Sequence, residues 1–378
     1  METSVRDAPE VLDGREVEFE AIESQLGALW KSLAEKAHSE GGPPVTRVVT
    51  LNLLVVAGTE ADAAAAMDLA GRLSERHPSR ILLVQAAPGP EGVSASLAVL
   101  CHRAGGGRQL CSEQVRLVTR GKASLRVAQH VAPLLVADVP VILWLPNHPL
   151  LLPIDEDLLA LADRVVVDAR AFPDTTAALE RLATWIEKRR EVVDLAWLRL
   201  ERWRALTAQC FEGAESRHDL ETLESIEVRY RTGREGTPEG RVEALYYGAW
   251  LASRLGCRWD ARPVAGSAGE RFVARRADKG EMHFSLVAAP RAEGAHGDLA
   301  GVTLVADGGR SRYRIARLGE RDMAEVVVEA ERACPAPVRV GFPTRDPLDL
   351  LSEALSGVAR DALYAHALVA ARGLSERP

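Results

Sequence analysis

The residue best placed for acid/base chemistry is His148, which follows an apolar stretch in the segment Pro146-Asn147-His148-Pro149. If that stretch is a strand of an α/β sheet, the imidazole lies at the strand's carboxyl end, where such sheets bind ligands. No orienting carboxylate stands near it in the sequence, and loop histidines of this kind are more often inert. The chain also lacks G-x-S-x-G, H-E-x-x-H and H-x-x-E-H, so neither a nucleophile elbow nor these zinc motifs are present.

A second candidate is the pair Glu113 and Gln114, which interrupts an apolar stretch. If this stretch is a strand, one of the two side chains must face a sheet surface or its edge. Buried carboxylates are rare unless they are paired, and Arg80, Arg116 or Arg199 could supply the charge. Two interpretations remain open. The pair is either a structural salt bridge that fixes strand register, or part of a polar pocket or partner contact at the sheet rim.

Two tryptophans are candidates for binding surfaces. Trp144 ends the apolar segment 139–145, where it is either a core residue or the wall of a ligand or partner pocket. Trp203 stands among Arg199, Arg202 and Arg204, and tryptophan and arginine dominate interface hot spots. We therefore prefer this cluster as a partner-binding patch. Packing between domains of the same chain explains it equally well.

These candidates require an alternating arrangement of strands and helices to position them. Apolar segments typical of strands occupy residues 47–57, 79–86, 111–119, 139–146 and 165–169, and helical stretches lie between most of them. Such alternation predicts a doubly wound, mostly parallel sheet with helices on both faces. The first strand-to-helix turn reads Ala57-Gly58-Thr59-Glu60 and matches neither G-x-G-x-x-G nor G-x-x-x-x-G-K-[ST]. The pattern thus predicts a Rossmann-like α/β scaffold without its usual phosphate-binding chemistry.

The rest of the chain predicts a smaller α+β domain with an antiparallel sheet, because short alternating segments follow one another after residue 223. Asp307-Gly308-Gly309 between two of them indicates a hairpin. We expect an N-terminal helix and linker at 1–44, a Rossmann-like domain at 45–192 and the α+β domain with a C-terminal helix at 193–378. We also predict a helix at 122–136, kinked or ended early by Pro133. The segment 194–211 predicts two short helices meeting near Glu201.

Composition limits the classes of partner and compartment. The chain carries 47 Lys and Arg against 54 Asp and Glu, a formal charge of −7, which argues against nucleic acid or an anionic membrane as the main partner. No apolar stretch reaches the roughly 18 residues that span a bilayer. The first 20 residues are polar and lack the apolar core of a signal peptide. We therefore expect a cytoplasmic protein with no membrane partner.

The five cysteines are scattered, at Cys101, Cys111, Cys210, Cys257 and Cys334. No C-x-x-C is present, so neither a zinc site nor a thioredoxin-like redox motif is predicted. The odd number also fits a reducing compartment. We expect most of these thiols to act as small buried hydrophobic groups.

The order and spacing of five segments resemble the glucose-6-phosphate dehydrogenase assembly protein family, OpcA. These are His77-Pro78-Ser79-Arg80 and residues 111–117, 138–146, 162–174 and 194–211. The similarity runs from about residue 46 to 211, fades, and resumes weakly at 244–257. Each segment alone is unspecific, but five in register make a chance similarity implausible.

The resemblance implies a protein that is not itself an enzyme and needs no cofactor. Its partner would be glucose-6-phosphate dehydrogenase, the first enzyme of the oxidative pentose phosphate pathway, whose active oligomer it would promote. One alternative is an enzyme acting on sugar phosphates or nucleotides at the carboxyl edge of the sheet, with His148, Glu113 and Arg80 as its groups. A second alternative is a metabolite sensor that passes its signal to the dehydrogenase.

Overall fold

In the computed structural model, the chain divides into two compact units, each of which contains most of one nine-stranded sheet. Unit 1 comprises residues 1–171, 190–193 and 351–357, and unit 2 comprises residues 172–189, 194–350 and 358–378. The structure describes residues 10–42, 44–104, 108–147, 154, 156–232, 240–259, 264–266, 269–276, 280–289, 299–319, 322–330, 336–357 and 361–375.

The elements follow one another in chain order. The first are β1 (Glu10–Val17), α1 (Ile22–Ser39), β2 (Val45–Arg47), β3 (Leu51–Ala57), α2 (Glu60–Leu73), β4 (Ser79–Ala87), β5 (Gly92–Ala104), β6 (Arg108–Arg120), α3 (Val127–Val131), β7 (Val141–Leu145), α4 (Glu156–Leu161), β8 (Arg164–Val167), α5 (Thr175–Glu187) and β9 (Glu191–Asp194). The remainder are α6 (Leu195–Arg199), α7 (Glu201–Cys210), α8 (Ala214–Glu221), β10 (Leu223–Arg231), α9 (Arg241–Arg254), β11 (Arg258–Trp259), β12 (Val264–Gly266), β13 (Gly269–Arg275), β14 (Glu281–Ala289), β15 (Leu299–Ala306), β16 (Ser311–Arg317), β17 (Met323–Glu329), β18 (Val338–Gly341), α10 (Pro347–Ser356) and α11 (Ala362–Ser375).

The first sheet has the strand order β1-β5-β6-β4-β3-β7-β8-β9, and β2 pairs with β6. Strand β3 runs parallel to β4 and β7, and β6 and β8 continue the parallel pairing outward. The run from β6 to β9 follows the strand order of dinucleotide-binding folds. All residues of β3 and β7 are buried, because helices cover both faces of the sheet. The predicted mostly parallel α/β sheet is confirmed.

Strand register assigns each side chain of this sheet to one of two faces, since register partners share a face. On the face covered by α2, here called the α2 face, Gln114 and Leu100 approach Gly71 of the helix so closely that a Cβ there would touch both. On the other face, here called the α1 face, Glu113 accepts a hydrogen bond from Trp30 of α1. Glu113 and Gln114 therefore point to opposite sides of the sheet.

Helix starts follow their capping residues, and one predicted helix is shorter than expected. Thr59 accepts a hydrogen bond from the Asp62 amide at the start of α2, and Asp174 caps α5 through the amides of its first turn. The predicted helix at 122–136 is shorter than expected, because a 3-10 turn, the five-residue helix α3 and a second 3-10 turn take its place. Helix α3 ends at Val131, and the predicted early end is confirmed, because Pro133 has no amide hydrogen and crowds the preceding turn.

The hairpin of β5 and β6 corrects the prediction for two cysteines. Cys101 and Cys111 are direct register partners and form a disulfide, with Cα atoms 4.1 Å apart. The expectation of separate small hydrophobic groups is wrong for this pair, because hairpin pairing places residues ten apart in sequence opposite each other. Cys210 and Cys257 are thiols outside the disulfide, and burial raises the pKa of Cys210 to about 11. Cys334 lies outside the described residues.

The second sheet has the order β11-β13-β14-β10-β15-β16-β17-β18, and β12 pairs with β13. Its pairs are antiparallel except for β10 with β14, so the predicted antiparallel sheet is confirmed. One face packs under α9. A Cβ at Gly248 of this helix would lie 2.2 Å from the ring of Phe284, so only glycine allows this close approach. The turn at Asp307 and Gly308 has left-handed backbone, as predicted for a hairpin.

A buried polar cluster ties the helices of unit 2 together. Asp194 caps α6 through the Ala196 amide, and its other carboxylate oxygen accepts hydrogen bonds from Tyr246 of α9 at 2.7 Å and Tyr364 of α11 at 3.3 Å. Burial and the Asp194 carboxylate raise the pKa of Tyr246 well above its ordinary value, so the phenol stays a donor. The two short helices predicted within 194–211 are α6 and α7.

Candidate functional site

The carboxyl ends of β3 and β7 form the crevice where an open α/β sheet of this order binds its ligand, because the connections leave these neighbours toward opposite edges. In this chain the crevice is bridged by its own side chains. Asn147, after β7, donates to Asp62 in the first turn of α2 at 2.5 Å. Thr59 donates its hydroxyl hydrogen to the other carboxylate oxygen of Asp62 at 2.7 Å. The segment after β3 is thereby fastened to the segment after β7.

A second carboxylate occupies the same helix start. Glu60 receives two hydrogen bonds from Arg116 of β6, at 2.7 and 2.6 Å, and Arg116 also donates to Gln85 of β4. The hydrogen bond from Arg116 is the main reason that the pKa of Glu60 is lowered. A helix start normally attracts phosphate through its amides and dipole. Here it carries two carboxylates, so these residues do not fit the pyrophosphate of a dinucleotide.

A buried ion network lies at the opposite end of the strands. Arg80, the second residue of β4, donates to Glu113 at 2.7 Å, to Glu23 of α1 at 2.6 Å and to the Leu134 carbonyl at 2.8 Å. Burial alone would lower the pKa of Arg80, but the two carboxylates more than offset it and the pKa is raised. The Glu113 carboxylate also accepts from Trp30 at 2.5 Å and pairs with Arg47 at 2.7 Å.

The network therefore holds α1 against the sheet. Of the three arginines considered from the sequence, Arg80 supplies the charge that balances Glu113, because parallel pairing makes them register partners. Arg116 is the register partner of Leu83 and lies on the α2 face. Arg80 and Glu113 lie on the α1 face, three residues nearer the amino ends of their strands than Leu83 and Arg116. The structure thus does not bring Arg80, Glu113 and Arg116 into one site. Glu23, Trp30 and Arg47 were missed, since only the packing of α1 reveals them.

The remaining candidates of unit 1 are core residues or lie outside the described chain. Trp144 is 3% exposed and is the register partner of Val55 and Val166. Its indole nitrogen has no hydrogen-bond partner in the part of the chain that the structure describes. Gln114 is buried against α2. His148 lies outside the described residues.

The tryptophan–arginine patch of unit 2 is occupied by internal contacts. Trp203 is 2% exposed and meets Phe342 edge to face, with ring centroids 4.9 Å apart. The guanidinium of Arg204 lies 3.6 Å from the ring centre of Trp197. Arg199 is 3.7 Å from the buried carboxylate of Glu243. These contacts hold the patch within unit 2, and its role as a partner surface stays a prediction.

Comparison with known families matches both halves of the chain. Two family models describe the two domains of a "Glucose-6-phosphate dehydrogenase subunit": the model of its N-terminal domain matches residues 70–184, and the model of its C-terminal domain matches residues 190–368. The chain belongs to the OpcA family. The predicted family is confirmed. The C-terminal match extends the resemblance well beyond residue 211, where the sequence motifs fade.

Curated relatives carry the OpcA name. The chain is 26% identical over 245 residues to a protein of Nostoc punctiforme named as an OxPP cycle protein OpcA, covering 62% of this chain and 50% of that one. It is 28% identical over 244 residues to the protein of the same name in Synechocystis, covering 64% and 48%. The chain thus spans about half the length of the curated relatives it matches.

Solved structures with a similar chain course include two enzymes. A glucose-6-phosphate dehydrogenase in complex with glucose 6-phosphate has a TM-score of 0.44 and 12% identity, over 85% of this chain and 90% of that one. KijD10, a 3-ketoreductase from Actinomadura kijaniata in complex with NADP and TDP-benzene, has a TM-score of 0.45 and 13% identity, over 86% and 95%. At these scores the likeness says nothing about the chemistry of this OpcA-family chain.

Among the described residues of this OpcA-family chain, the side chains of Ser74, His102 and Glu75 are arranged in a way that resembles a catalytic triad. His102 lies 2.7 Å from the Ser74 hydroxyl through Nε2 and 3.7 Å from Glu75 through Nδ1. Ser74 is 3% exposed, and its hydroxyl also lies 2.6 Å from the Gly71 carbonyl, which competes with the imidazole for the single hydroxyl hydrogen. Burial also lowers the pKa of His102. These contacts connect the end of α2 to β5.

Metal sites and membrane-spanning helices are two further features that the described residues do not contain. Within the described ranges, no three His, Cys, Asp or Glu side chains converge as metal ligands. No described helix combines the length and apolarity needed to cross a bilayer. The cytoplasmic location stays a prediction from the sequence.

Proposed function

We propose that this chain binds glucose-6-phosphate dehydrogenase and promotes its active oligomer without catalysing a reaction itself. The observation that carries the proposal is the family match over residues 70–184 and 190–368, because both families are described by that enzyme's name. The partner is the dehydrogenase, and the process is the oxidative pentose phosphate pathway named for the curated relatives.

The crevice at the carboxyl edge supports the non-catalytic part of this proposal. Asp62 is held by Asn147 and Thr59, and Glu60 by Arg116. A dinucleotide would have to displace these bonds and bring its phosphates beside two carboxylates. The phosphates and the two carboxylates carry like charges and would repel each other. Each charge-assisted hydrogen bond that the ligand breaks costs about 1.5–3 kcal/mol.

The physical mechanism is thermodynamic linkage. A protein that binds the assembled dehydrogenase more tightly than its separate protomers shifts assembly by the difference between the two affinities. A tenfold preference corresponds to about 1.4 kcal/mol. No chemical step by this chain is required, and its effect saturates when the dehydrogenase is fully bound.

The test mixes the purified chain with the dehydrogenase of the same organism. We expect a complex in analytical ultracentrifugation, a shift of the dehydrogenase toward its larger oligomer, and a higher turnover that saturates at a fixed ratio of the chains. The heat-unfolded chain serves as the control for non-specific stabilisation. If the native chain forms no complex and changes neither oligomer size nor turnover, the proposal is wrong.

The strand order of the first sheet favours a second candidate, a nucleotide- or sugar-phosphate-binding enzyme or sensor. A thermal-shift screen of the chain alone with NADP+, NADPH and glucose 6-phosphate separates the two. We expect no ligand to raise the melting temperature. A ligand that stabilises the chain by several degrees, with a larger effect in Asp62→Ala because one repelling carboxylate is gone, would support the second candidate.

A further inference from the structure

The second sheet has one face that α9 does not cover, and its side chains form a surface here called the open face. Phe272, Phe284 and Ile315 point away from it and are buried. Three rows of register partners from β13, β14, β10, β15, β16 and β17 make up the open face. They are Val273, His283, Ser225, Val305, Arg312 and Glu329; Arg271, Ser285, Glu227, Thr303, Arg314 and Val327; and Val287, Arg229, Gly301, Ala316 and Glu325.

The open face carries arginines that have no carboxylate partner among the described residues. Arg229, Arg271, Arg312 and Arg314 are all exposed, and none of them forms an ion pair or side-chain hydrogen bond with any residue that the structure describes. Arg312 and Glu329 are register partners, yet their charged groups do not meet. Glu325, by contrast, is paired with Arg339 at 3.1 Å.

The charge of the open face is opposite to that of the chain. After the Glu325 pair is set aside, four arginines remain against the two glutamates Glu227 and Glu329. The whole chain has a formal charge of −7. A local excess of unpaired guanidinium groups on an acidic protein recognises a carboxylate-bearing surface, and it speeds the encounter through long-range attraction.

The shape of the open face suits a flat partner. Thr303, Gly301 and Val305 of β15 and Val287 of β14 are small and at least half-buried, so they do not project beyond the arginines. Six strands about 4.8 Å apart and three rows of alternate residues span roughly 24 by 15–20 Å, on the order of 400 Å². This is about half of the roughly 800 Å² that each partner contributes to a stable interface.

We infer that the open face is the docking surface for an acidic, flat region of a partner protein. Resting on the proposed function, that partner is glucose-6-phosphate dehydrogenase. A second copy of this chain docked through the same face is a poorer occupant, because it would bring its own arginines against these. The arginines contribute both affinity and association rate, and Glu227 in the middle row opposes them.

The test uses opposite charge changes on the same surface. Arg271→Glu with Arg314→Glu reverses two exposed charges of the middle row. We expect the dissociation constant for the dehydrogenase to rise at least tenfold. Glu227→Arg should lower it several-fold, mainly through a faster association that added salt suppresses. Arg217→Glu, an exposed change on α8 in the same unit, is the matched control and should leave the constant unchanged.

Circular dichroism and melting temperature must match the unchanged chain. If the double reversal lowers the melting temperature, Arg271→Gln with Arg314→Gln replaces it, with a threefold or larger rise expected. Equal binding by the unchanged, reversed and control chains refutes the docking surface but leaves the proposed function standing. No binding by the unchanged chain refutes the proposed function itself. The docking inference is also wrong if sedimentation of the chain alone shows a dimer that the reversal dissolves. Single-stranded RNA binding that the reversal abolishes, with dehydrogenase binding intact, refutes it too.

Discussion

The arginines of the two sheets differ in what they contact. In the first sheet, Arg80 is balanced by Glu113 and Glu23, and Arg116 by Glu60. On the open face of the second sheet, Arg229 and Arg314 have no carboxylate partner among the described residues, although both sheets belong to one acidic chain. The first group is fully engaged in holding the fold. The second group has no such contact within the described ranges, and its guanidinium groups are exposed to solvent.

Because of this difference, substitutions of the paired arginines and their carboxylates should lower stability, whereas substitutions of the exposed arginines should affect binding alone. Leaving one buried charge without its partner destabilises a protein by about 3–5 kcal/mol. Removing an exposed, unpaired charge usually changes stability by no more than about 0.5 kcal/mol. Substitutions in the first sheet therefore test the fold, and those on the open face test association.

The largest effect is expected for Glu113→Ala. The substitution leaves Arg80 buried at 3% exposure with one carboxylate partner fewer, and it also removes the acceptor of Trp30. We expect the free energy of unfolding to fall by about 3–5 kcal/mol in urea titrations. Arg271→Ala on the open face is the control and should stay within about 0.5 kcal/mol. A loss below about 1 kcal/mol for Glu113→Ala, the size of an exposed pair, would show that the network does not hold the fold.

The next largest effect is a pH dependence of the melting temperature, which we assign to His102 of unit 1. Burial lowers the pKa of His102, so between the folded pKa and the unfolded value of about 6.5 the unfolded chain binds more protons. The contribution to stability is complete above about pH 6.5 and is lost as pH falls through this window. We expect the melting temperature to drop between about pH 7 and 5, and less so in His102→Gln. The control His38→Gln changes an exposed histidine, and an equal flattening there would contradict the assignment.

Features that depend on neighbouring residues in the sequence could be predicted, whereas features that depend on the pairing of distant segments could not. The apolar strands β3, β4 and β7 and the turn at Asp307 follow from short-range patterns, and all were predicted. Strand β1 was missed because its polar sequence lacks alternation, and it becomes a strand only by pairing with β5. The Cys101–Cys111 bond likewise depends on hairpin register.

The candidate surfaces show the same limit. A salt bridge of Glu113 was one of two interpretations drawn from its place in an apolar stretch, but choosing Arg80 among three arginines required the parallel register of β4 and β6. The open face was not foreseen, because Arg271 and Arg314 are 43 residues apart and meet in one row only through the strand order. Non-local pairing therefore decides which charged residues are available to a partner.

The smallest effect is expected for Glu60→Gln, which tests whether the crevice pair belongs with the buried network. Glu60 and Arg116 are bonded, yet their side chains are 70% and 32% exposed, so solvent screens the pair. The lowered pKa of Glu60 contributes stability that is present above pH 4.5 and is lost as pH falls below it. We expect a loss of about 1 kcal/mol or less at neutral pH, from the pair and from the α2 dipole together. Asp68→Asn, an exposed change in the same helix, should have no effect. A loss above about 2 kcal/mol would show that this exposed pair stabilises the fold as strongly as the buried network does. The presence of a carboxylate partner, and not the exposure of the side chain, would then distinguish structural arginines from arginines available for binding.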